Sequence, residues 1–378
     1  MDIKNNKILL ISSEYPPGPG GIGNHAYSLT KALAEKGFEL FVITNADYAE
    51  SERIYEFDRS QYKNIQIIRI QRSGIRTYYN RIRETIKVIK NNKINTILLS
   101  GKFSLWTGGI LKMLGHRLRS VAILHGSEVK MSNRFLRKFT DICISKADFI
   151  IPVSGFTWSL LNEKLQKKPF QIIENGIDIN EMQELDRNDS RTFKLKGSPA
   201  ILTVGNVTPR KGQHRVIKAL PELIKKFPDI HYNVVGLSTY EKQFTELAVS
   251  LGVERYVTFY GRLPERSDLA AAYKDADCFI ILSENQPDGD VEGFGIVILE
   301  ANYFGLPAIG ARGCGIEDAV NDSYNGYLVD GDNASEISAK LTLILDNKDK
   351  LSANSVKWAE EHSWDMIGDK YVTVINTL

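Results

Sequence analysis

Two glutamates eight residues apart, Glu292 and Glu300, bracket a glycine pair in an apolar segment of the second half of the chain. Backbone amides at the start of a helix attract anions, because they are free N–H donors at its positive end. Eight residues span about 12 Å when fully helical, close to the reach from the hexose of a nucleotide sugar to its ribose. The segment therefore predicts a nucleotide-sugar site made of Glu292, Gly293, Phe294, Gly295, Ile296 and Glu300.

Each carboxylate has a specific expected task within this segment. Glu292, in the loop, is placed to hydrogen-bond sugar hydroxyls, and Glu300, on the helix Ile296–Phe304, to bind the ribose diol. The helix is apolar around Glu300, so we expect that carboxylate to have a bonded partner. A covalent nucleophilic role for Glu292 is the alternative to binding.

A basic loop, Gly205–Gly212, follows another apolar run and precedes a helix predicted from about Gln213. Arg210 and Lys211 could bind a diphosphate through charge-assisted contacts, supported by the helix dipole. A solvated basic turn is the structural alternative. Asn206 in this loop and Arg262, which follows the run Val257–Gly261, complete the donor residues expected in this half.

A proline- and glycine-rich loop, Pro16–Gly23, lies between the first apolar run and a helix predicted over Asn24–Lys36. Glycines let backbone amides approach a phosphate closely, so Gly20, Gly21 and Gly23 are candidate donor-binding residues. The spacing of Gly18, Gly20 and Gly23 also matches the dinucleotide fingerprint, with Asp47 as the ribose-binding acid. That alternative is a nicotinamide-dependent oxidoreductase, whose fingerprint needs a tighter turn than two prolines allow. A simple structural connection is the third possibility.

The first half offers candidate catalytic and acceptor residues. His125 ends a buried run and precedes Gly126, a position that favours function. Glu128 and Ser154 are candidates on the acceptor side. Capping of a helix predicted over Phe156–Leu165 is the alternative for Ser154. His25 and His214 are interpreted as polar surface groups.

Bulk properties exclude several classes of protein. The chain has 378 residues, 43% of them hydrophobic and 25% charged, which is typical of a soluble globular protein with two or three domains. It contains no apolar run long enough to span a membrane and no signal-peptide pattern. Three isolated cysteines fit a reducing compartment, so we expect a cytoplasmic protein. The Asp-x-Asp pairs at 275, 288 and 330 are not expected to hold a required metal, because Arg210 and Lys211 already supply positive charge, and no cofactor is expected.

Apolar runs alternate with helical patterns along the whole chain, which predicts an α/β protein with parallel sheets. We expect two doubly wound, Rossmann-like domains, 1–185 and 200–363, joined by a polar linker at 186–199 and enclosing a cleft. The expected strands are Lys7–Ser12, Leu40–Thr44, Ile65–Ile70, Thr96–Ser100, Val121–His125, Phe149–Val153, Ile172–Glu174, Ala200–Gly205, Tyr232–Gly236, Val257–Gly261, Cys278–Ser283, Pro307–Gly310 and Tyr327–Val329.

Positive charge is concentrated in the first half, although the net charge of the chain is only +2. Residues 59–146 hold 19 Lys and Arg against three acidic residues. A basic amphipathic helix is predicted over Arg76–Lys93, with Arg81 and Arg83 beside a stripe of Tyr79, Ile82, Ile86 and Ile89, and similar stretches are predicted at Gly109–Arg119 and Phe135–Lys146. Such helices bind anionic membrane surfaces, and a core-facing stripe with solvated lysines is the alternative. No motif for nucleic acid is present.

The order of the motifs resembles that of the retaining family 4 glycosyltransferases of GT-B fold. The resemblance runs from about Ile8 to the C-terminus and rests on PPGPGGIG, HGSE, ENGID, GNVTPRKG, FYGRLP, DVEGFGIVILEA, GLPAIGARGCGIED and NGYLV. The stretch Asp290–Gly295 is most similar to bacterial α-mannosyltransferases of the phosphatidylinositol-mannoside type and to enzymes of polysaccharide and lipopolysaccharide assembly. A non-catalytic sugar-nucleotide sensor on the same fold remains an alternative.

The resemblance implies a role for each matching residue. It implies that Gly21 donates an amide to the donor phosphate, that His125 lies by the 6-hydroxyl of the transferred sugar, and that Lys211 pairs with the diphosphate. Glu292 would contact the 3- and 4-hydroxyls and Glu300 the ribose. Many members carry arginine where this chain has Asn206, so Arg210 is the candidate to compensate.

The resemblance also implies that transfer proceeds with retention, by departure of the diphosphate and attack from the same face. It further implies that the final helix, about 364–378, packs on the N-terminal domain. The basic helices of the first half in turn predict a saccharide or lipid-linked acceptor near a membrane, with the protein peripheral on the inner face of the plasma membrane.

Overall fold

The computed structural model describes residues 6–18, 20–46, 49–74, 76–187 and 193–378. The chain divides into two compact units, with unit 1 formed by 1–176 together with 364–378, and unit 2 by 177–363. The change of unit precedes the predicted linker, so the helix Ile179–Arg187 is part of unit 2. Asp47 and the linker residues 188–192 lie outside the described residues.

Unit 1 is a six-stranded parallel sheet in the order β3-β2-β1-β4-β5-β6. Its inner strands are uninterrupted apolar runs, such as Ile8–Ile11, and these side chains are buried, as expected for strands covered on both faces. The strands are β1 Lys7–Ser12, β2 Glu39–Asn45, β3 Ile65–Ile70, β4 Thr96–Ser100, β5 Arg119–Leu124 and β6 Phe149–Pro152. The helices are α1 Gly21–Glu35, α2 Ser51–Arg59, α3 Arg76–Asn92, α4 Lys102–Met113, α5 Arg134–Ser145, α6 Gly155–Ser159 and, from the end of the chain, α15 Trp364–Thr377.

Unit 2 repeats this plan with the strand order β12-β11-β10-β7-β8-β9. All neighbouring strands in both sheets are parallel. The strands are β7 Ala200–Val204, β8 His231–Val235, β9 Val257–Gly261, β10 Cys278–Ile281, β11 Ala308–Ala311 and β12 Gly326–Val329. The helices are α7 Ile179–Arg187, α8 Gln213–Lys226, α9 Glu241–Ser250, α10 Arg266–Asp275, α11 Ile296–Tyr303, α12 Ile316–Ala319, α13 Ala334–Asp346 and α14 Lys348–Glu361.

The two doubly wound sheets confirm the predicted fold class, and each observed strand begins and ends within two residues of its predicted position. The predicted strand Ile172–Glu174 is wrong. This segment runs beside β6, where the amides of Gln171 and Ile173 donate to the carbonyls of Ile150 and Pro152. The contact is too short to extend the sheet, and the segment is extended backbone without strand pairing of its own.

Two helix predictions in unit 1 also need correction. The helix expected over Phe156–Leu165 ends at Ser159, and a turn follows it. The basic helix expected over Gly109–Arg119 does not exist as such, because α4 ends at Met113 and Arg119 begins β5. Among the described residues, no helix is both long and apolar enough to cross a membrane.

Candidate functional site

The charged motifs of unit 2 meet where the order of its strands reverses. The chain proceeds from β7 outward to β8 and β9, and then returns to β10 on the other side of β7. The loops after β7 and β10 therefore leave the sheet side by side, and open α/β sheets bind ligands at such points. The loops touch closely, since a Cβ on Gly212 would overlap the Leu282 carbonyl, and the Glu284 amide donates to the Arg210 carbonyl at 2.9 Å.

Arg210 and Lys211, from the loop after β7, both bind Glu292, from the loop after β10. Arg210 Nη1 and Lys211 Nζ lie 2.6 and 2.7 Å from the same oxygen, Glu292 Oε2. Arg210 Nε also pairs with Asp290 Oδ2 at 3.0 Å. The structure thus brings three predicted residues together and adds Asp290, one of the Asp-x-Asp residues that were not expected to hold a metal.

The charge of Glu292 is set by these two cations. Burial alone would raise the pKa of Glu292, but the neighbouring charges of Lys211 and Arg210 outweigh burial and hold the pKa below its usual value. The carboxylate is therefore ionised at neutral pH and only accepts hydrogen bonds. Sugar hydroxyls are hydrogen-bond donors that such a group can orient.

A buried glutamine at the start of α8 shapes the basic loop. Gln213 is fully buried, its Nε2 donates to the Asn206 carbonyl at 3.0 Å, and its Oε1 accepts from the Thr208 amide at 3.3 Å. Gln213 was not predicted from the sequence as a site residue. Helical spacing places Gln213 on the apolar face with Ile217 and Leu220, a signal that could have identified it as a buried polar group.

Arg215, also missed, organises the other side of the same helix start. It is buried, donates to the Leu282 carbonyl at 3.1 Å and pairs with Asp332 Oδ2 at 2.7 Å. The acidic pair Asp330-x-Asp332 therefore receives an arginine. Gln213 therefore fixes the loop that carries Arg210 and Lys211, and Arg215 fixes the backbone just after β10.

The Glu292–Glu300 segment is only partly helical. Residues 291–295 are not helical, and Gly295, with φ 97°, begins α11 in a left-handed conformation that favours glycine. The distance expected for a fully helical segment therefore does not apply to it. Ile296 is the first helical residue, as predicted, and Gly293, Phe294 and Gly295 form the turn before it.

Glu300 has the bonded partner that its apolar helix required. The hydroxyl of Tyr273, from α10, donates to Glu300 Oε2 at 2.8 Å. Tyr273 is fully buried, and burial together with the Glu300 charge holds the pKa of its hydroxyl well above the usual value, so it remains a donor. The remaining predicted donor residues of unit 2, Asn206 and Arg262, have exposed side chains at the ends of β7 and β9.

In unit 1 the strand order reverses between β1 and β4, and the glycine loop follows β1. Gly20 (φ 130°) caps α1, and a Cβ there would overlap Oε2 of Glu14. Burial raises the pKa of Glu14, whereas a hydrogen bond from the Gly23 amide opposes this. Gly21 is exposed, and a Cβ on it would meet open space among the described residues. The loop amides are thus already partnered in part by a carboxylate that the sequence analysis missed.

His125 lies at the end of β5, across the same strand reversal. Its Nε2 is 2.9 Å from Ser100 Oγ at the end of β4. Burial lowers the pKa of the His125 imidazole to about 4, so the ring is neutral at physiological pH. A neutral imidazole can both donate and accept a hydrogen bond, which suits contact with a sugar hydroxyl.

The interpretation of His25 as a surface group is wrong. It is 1% exposed, its ring centroid lies 4.8 Å from that of His125, and its Nε2 is 3.2 Å from the hydroxyl of Tyr371 on α15. The covering residues Trp364 and Tyr371 come from the far end of the chain. Burial, reinforced by His125, lowers the pKa of His25, so this ring is neutral too.

Glu128 and Ser154 are both buried side chains with local hydrogen bonds. Glu128 Oε1 accepts from the backbone amide of His125 at 2.6 Å. Burial raises the pKa of Glu128 to about 7, although amide hydrogen bonds oppose the rise. Ser154 is the N-cap of α6, where its Oγ accepts from the Thr157 amide at 2.9 Å. The capping alternative for Ser154 is therefore observed.

Helix α3 buries a different face from the predicted apolar stripe. The buried residues are Thr77, Arg81, Thr85, Val88 and Ile89, whereas Tyr79 is 66% exposed. Arg81 is 2% exposed and its Nη2 donates to Asn45 Oδ1 at 2.6 Å, so its placement on a surface is wrong. Arg83 is exposed and pairs with Glu84 at 3.1 Å. A hydrogen-bond partner at the end of β2 draws Arg81 inward, which helical spacing alone does not reveal.

Within the described ranges, no group of three or more His, Cys, Asp or Glu side chains is arranged to hold a metal ion. The three cysteines are buried and unpaired by disulfides.

Comparison with known proteins assigns both halves of the chain to glycosyltransferase families. Residues 19–181 match the family model Glycosyltransferase Family 4, and residues 186–362 match Glycosyl transferases group 1. The chain is 26% identical over 99% of its length, and 98% of the relative, to a GDP-mannose-dependent monoacylated alpha-(1-6)-phosphatidylinositol monomannoside mannosyltransferase of Corynebacterium glutamicum. It is 26% identical, over 98% of each chain, to a GDP-mannose-dependent alpha-(1-6)-phosphatidylinositol monomannoside mannosyltransferase of Mycolicibacterium smegmatis.

Solved structures agree on the fold. The Anabaena protein HepE, determined in complex with UDP, superimposes with a TM-score of 0.75 at 19% identity, covering 98% of this chain and all of the other. The same protein has been determined with UDP-glucose.

Proposed function

Because the chain belongs to the family 4 glycosyltransferases of GT-B fold, and so transfers a hexose from a nucleotide diphosphate sugar, we propose that its donor is GDP-mannose. The proposal is supported by the relatives named as GDP-mannose-dependent, which match the chain nearly end to end. The observation that supports a diphosphate sugar as donor is the pairing of Lys211 and Arg210 with Glu292 at the strand reversal of unit 2. This arrangement offers two cations for a diphosphate and an ionised carboxylate for the adjoining sugar.

Each residue then has a defined task in the transfer. Lys211 and Arg210 stabilise the negative charge that develops on the departing diphosphate, and preorganised charges of this kind are most effective in a site shielded from water. Glu292 orients the 3- and 4-hydroxyls of the sugar and His125 the 6-hydroxyl, with Gly21 donating an amide to a phosphate. Attack from the same face gives retention, and positioning supplies most of the acceleration.

The nicotinamide alternative is not supported. Residues 13–20 separate β1 from α1, whereas a dinucleotide fingerprint needs a tight turn between strand and helix. The relatives are glycosyltransferases, and the non-catalytic sensor is not supported either.

Donor identity can be tested with a panel of nucleotide sugars. Thermal shift and slow hydrolysis would be measured with GDP-mannose, UDP-glucose, UDP-galactose and GDP alone. We expect GDP-mannose to give the largest shift and the fastest hydrolysis. A preference for a UDP-sugar would refute the donor proposed here and leave the enzyme class intact.

The role of Glu300 can be tested in the same assay. Loss of a hydrogen bond to a charged group costs about 1.5–3 kcal/mol, so Glu300→Gln should weaken GDP binding by at least about tenfold. It should also reduce discrimination between GDP and 2′-deoxy-GDP. Unchanged discrimination would contradict the assignment of Glu300 to the ribose.

We propose further that the acceptor is carried on an anionic membrane, at the inner face of the plasma membrane. The support comes from α5, whose outer surface exposes Phe135 (88% exposed), Leu136 and Ile142 among Arg134, Arg137 and Lys138. Apolar side chains surrounded by cations are typical of helices that lie on anionic lipid. Arg81 is buried, so it takes no part in this surface.

Liposome flotation tests this surface directly. Wild type should float with vesicles containing phosphatidylglycerol, and Arg134→Glu, Arg137→Glu and Lys138→Glu together should abolish flotation. A matched triple reversal at Lys226, Lys350 and Lys357, which are exposed on unit 2, should leave flotation unchanged. Equal loss in both triples would indicate a general charge effect and refute a specific surface.

We also propose that catalysis needs no divalent metal, because Arg210 and Lys211 supply the positive charge at the diphosphate. Transfer should be unaffected by excess EDTA. Loss of activity that Mg²⁺ or Mn²⁺ restores would overturn this expectation.

A further inference from the structure

Both cations assigned to the donor diphosphate are already bound to carboxylates in this protein. Among the residues that the structure describes, Lys211 pairs with Glu292, whereas Arg210 lies between two carboxylates, with Nη1 on Glu292 and Nε on Asp290. A guanidinium has five N–H donors in a fixed plane, and these two ion pairs use Nε and Nη1 of Arg210. A phosphate that approaches the Nε side of Arg210 must therefore compete with Asp290.

The two carboxylates differ in how firmly they are placed. The side chain of Glu292 is 10% exposed and receives both cations, whereas that of Asp290 is 54% exposed and receives only Arg210 among the contacts described. Asp290 lies on a turn in which the Gln286 amide donates to the Asp290 carbonyl and Asp288 Oδ1 accepts from the Asp290 amide. This turn is at the surface, so Asp290 can leave Arg210 without opening the core.

From this asymmetry we infer that Asp290 occupies Arg210 in the donor-free protein in place of a phosphate, and that a nucleoside diphosphate displaces it. The inference rests on the proposed function of the site. Glu292 keeps its place to receive the sugar, and the Nε side of Arg210 passes from the aspartate to a phosphate oxygen. Asp290 is thus a residue that sets donor affinity, and it lowers that affinity.

Removing the charge of Asp290 should therefore strengthen the binding of a nucleoside diphosphate. Exposed ion pairs contribute about 0.2–1 kcal/mol, which corresponds to ~1.4- to 5-fold in a dissociation constant. Asp290→Asn should tighten binding of GDP and UDP by that factor. These nucleotides lack a sugar, so their binding reports on Arg210 without the contact that Glu292 makes to hexose.

The experiment is isothermal titration calorimetry of the full chain with GDP and with UDP. Asp290→Asn would be compared with wild type and with Asp349→Asn, which neutralises an exposed aspartate on α14 and should change nothing. The same change in an Arg210→Gln background should lose its effect, because the arginine that Asp290 restrains is gone. The gain should also shrink at high salt, where exposed charge pairs are screened.

The outcomes separate the two proposals. If wild type binds a nucleoside diphosphate and Asp290→Asn binds it equally well or more weakly, Asp290 does not restrain Arg210 and the inference fails alone. A gain that persists in the Arg210→Gln background would also overturn it, since the effect would not pass through Arg210. If neither wild type nor Asp290→Asn binds either nucleotide, the inference and the proposed function fail together.

Discussion

The two units share one architecture but present opposite electrostatics at the same topological position. At the strand reversal of unit 2, Glu292 is ionised and bound to two cations. At the strand reversal of unit 1, His125 and His25 are neutral, and burial brings the pKa of Glu128 to about 7. The same sheet topology therefore supports one site of paired, ionised side chains and another site of neutral hydrogen-bonding groups. In the proposed transfer the cations of the first site suit the leaving diphosphate, and the neutral ring of His125 in the second suits contact with a sugar hydroxyl.

The largest effect should come from removing Lys211 of unit 2. Removing one preorganised group that stabilises developing charge typically costs 10²- to 10³-fold, so Lys211→Ala should lower kcat/KM by about that factor and weaken GDP binding. Lys218→Ala, on the exposed side of the helix α8 that follows this loop, is the control. A loss below about tenfold would mean that Lys211 does not carry the diphosphate charge.

A smaller and different effect should follow from changing the neutral site of unit 1. His125→Ala removes a hydrogen bond from an uncharged ring, worth about 0.5–1.5 kcal/mol, so kcat/KM for the sugar donor should fall roughly 2- to 10-fold. Binding of GDP, which lacks the sugar, should be unchanged. Weaker GDP binding in His125→Ala would mean that His125 also contributes to binding the nucleotide, and the proposed difference between the two units would be wrong.

The smallest effect concerns stability rather than catalysis. The pKa of Glu128 is raised above its unfolded value by burial, so protonation stabilises the folded state, and this contribution is present below about pH 4.5 and is lost as pH rises through about 7. Glu128→Gln cannot titrate. The Tm of wild type relative to Glu128→Gln should therefore decline from pH 4.5 to 7 and level off above. A difference that stays constant across this range would show that Glu128 titrates normally.

Strand positions were predictable because parallel strands that are buried on both faces consist of consecutive apolar residues, as in Ile8–Ile11. Motif spacing also identified Lys211, Arg210 and Glu292, which the structure brings to one place. Ile172–Glu174 failed because a short apolar run carries no information about whether a neighbouring strand pairs with it. The outcome there depends on two hydrogen bonds to β6.

Side-chain contacts between residues that are far apart in the sequence could not be predicted. His25 and Arg81 look like surface groups within their own helices, and each is buried by residues distant in sequence, Tyr371 for one and Asn45 for the other. Asp290 was visible as an acid near Glu292, yet its pairing with Arg210 depends on two loops meeting at a strand reversal. The spacing of apolar residues along a helix predicts which face is buried. A hydrogen bond to a residue distant in sequence can bury a different face, as it does for Arg81 in α3.

Helix α15 completes unit 1, although it is encoded after all of unit 2. During synthesis on the ribosome, α1 emerges early and its face around His25 has no cover until Trp364 and Tyr371 follow. The nascent first unit must therefore wait, partly open, while some 190 residues of unit 2 are translated and begin to fold. Order of translation thus makes the covering of His25 by α15 a late event in the maturation of this enzyme.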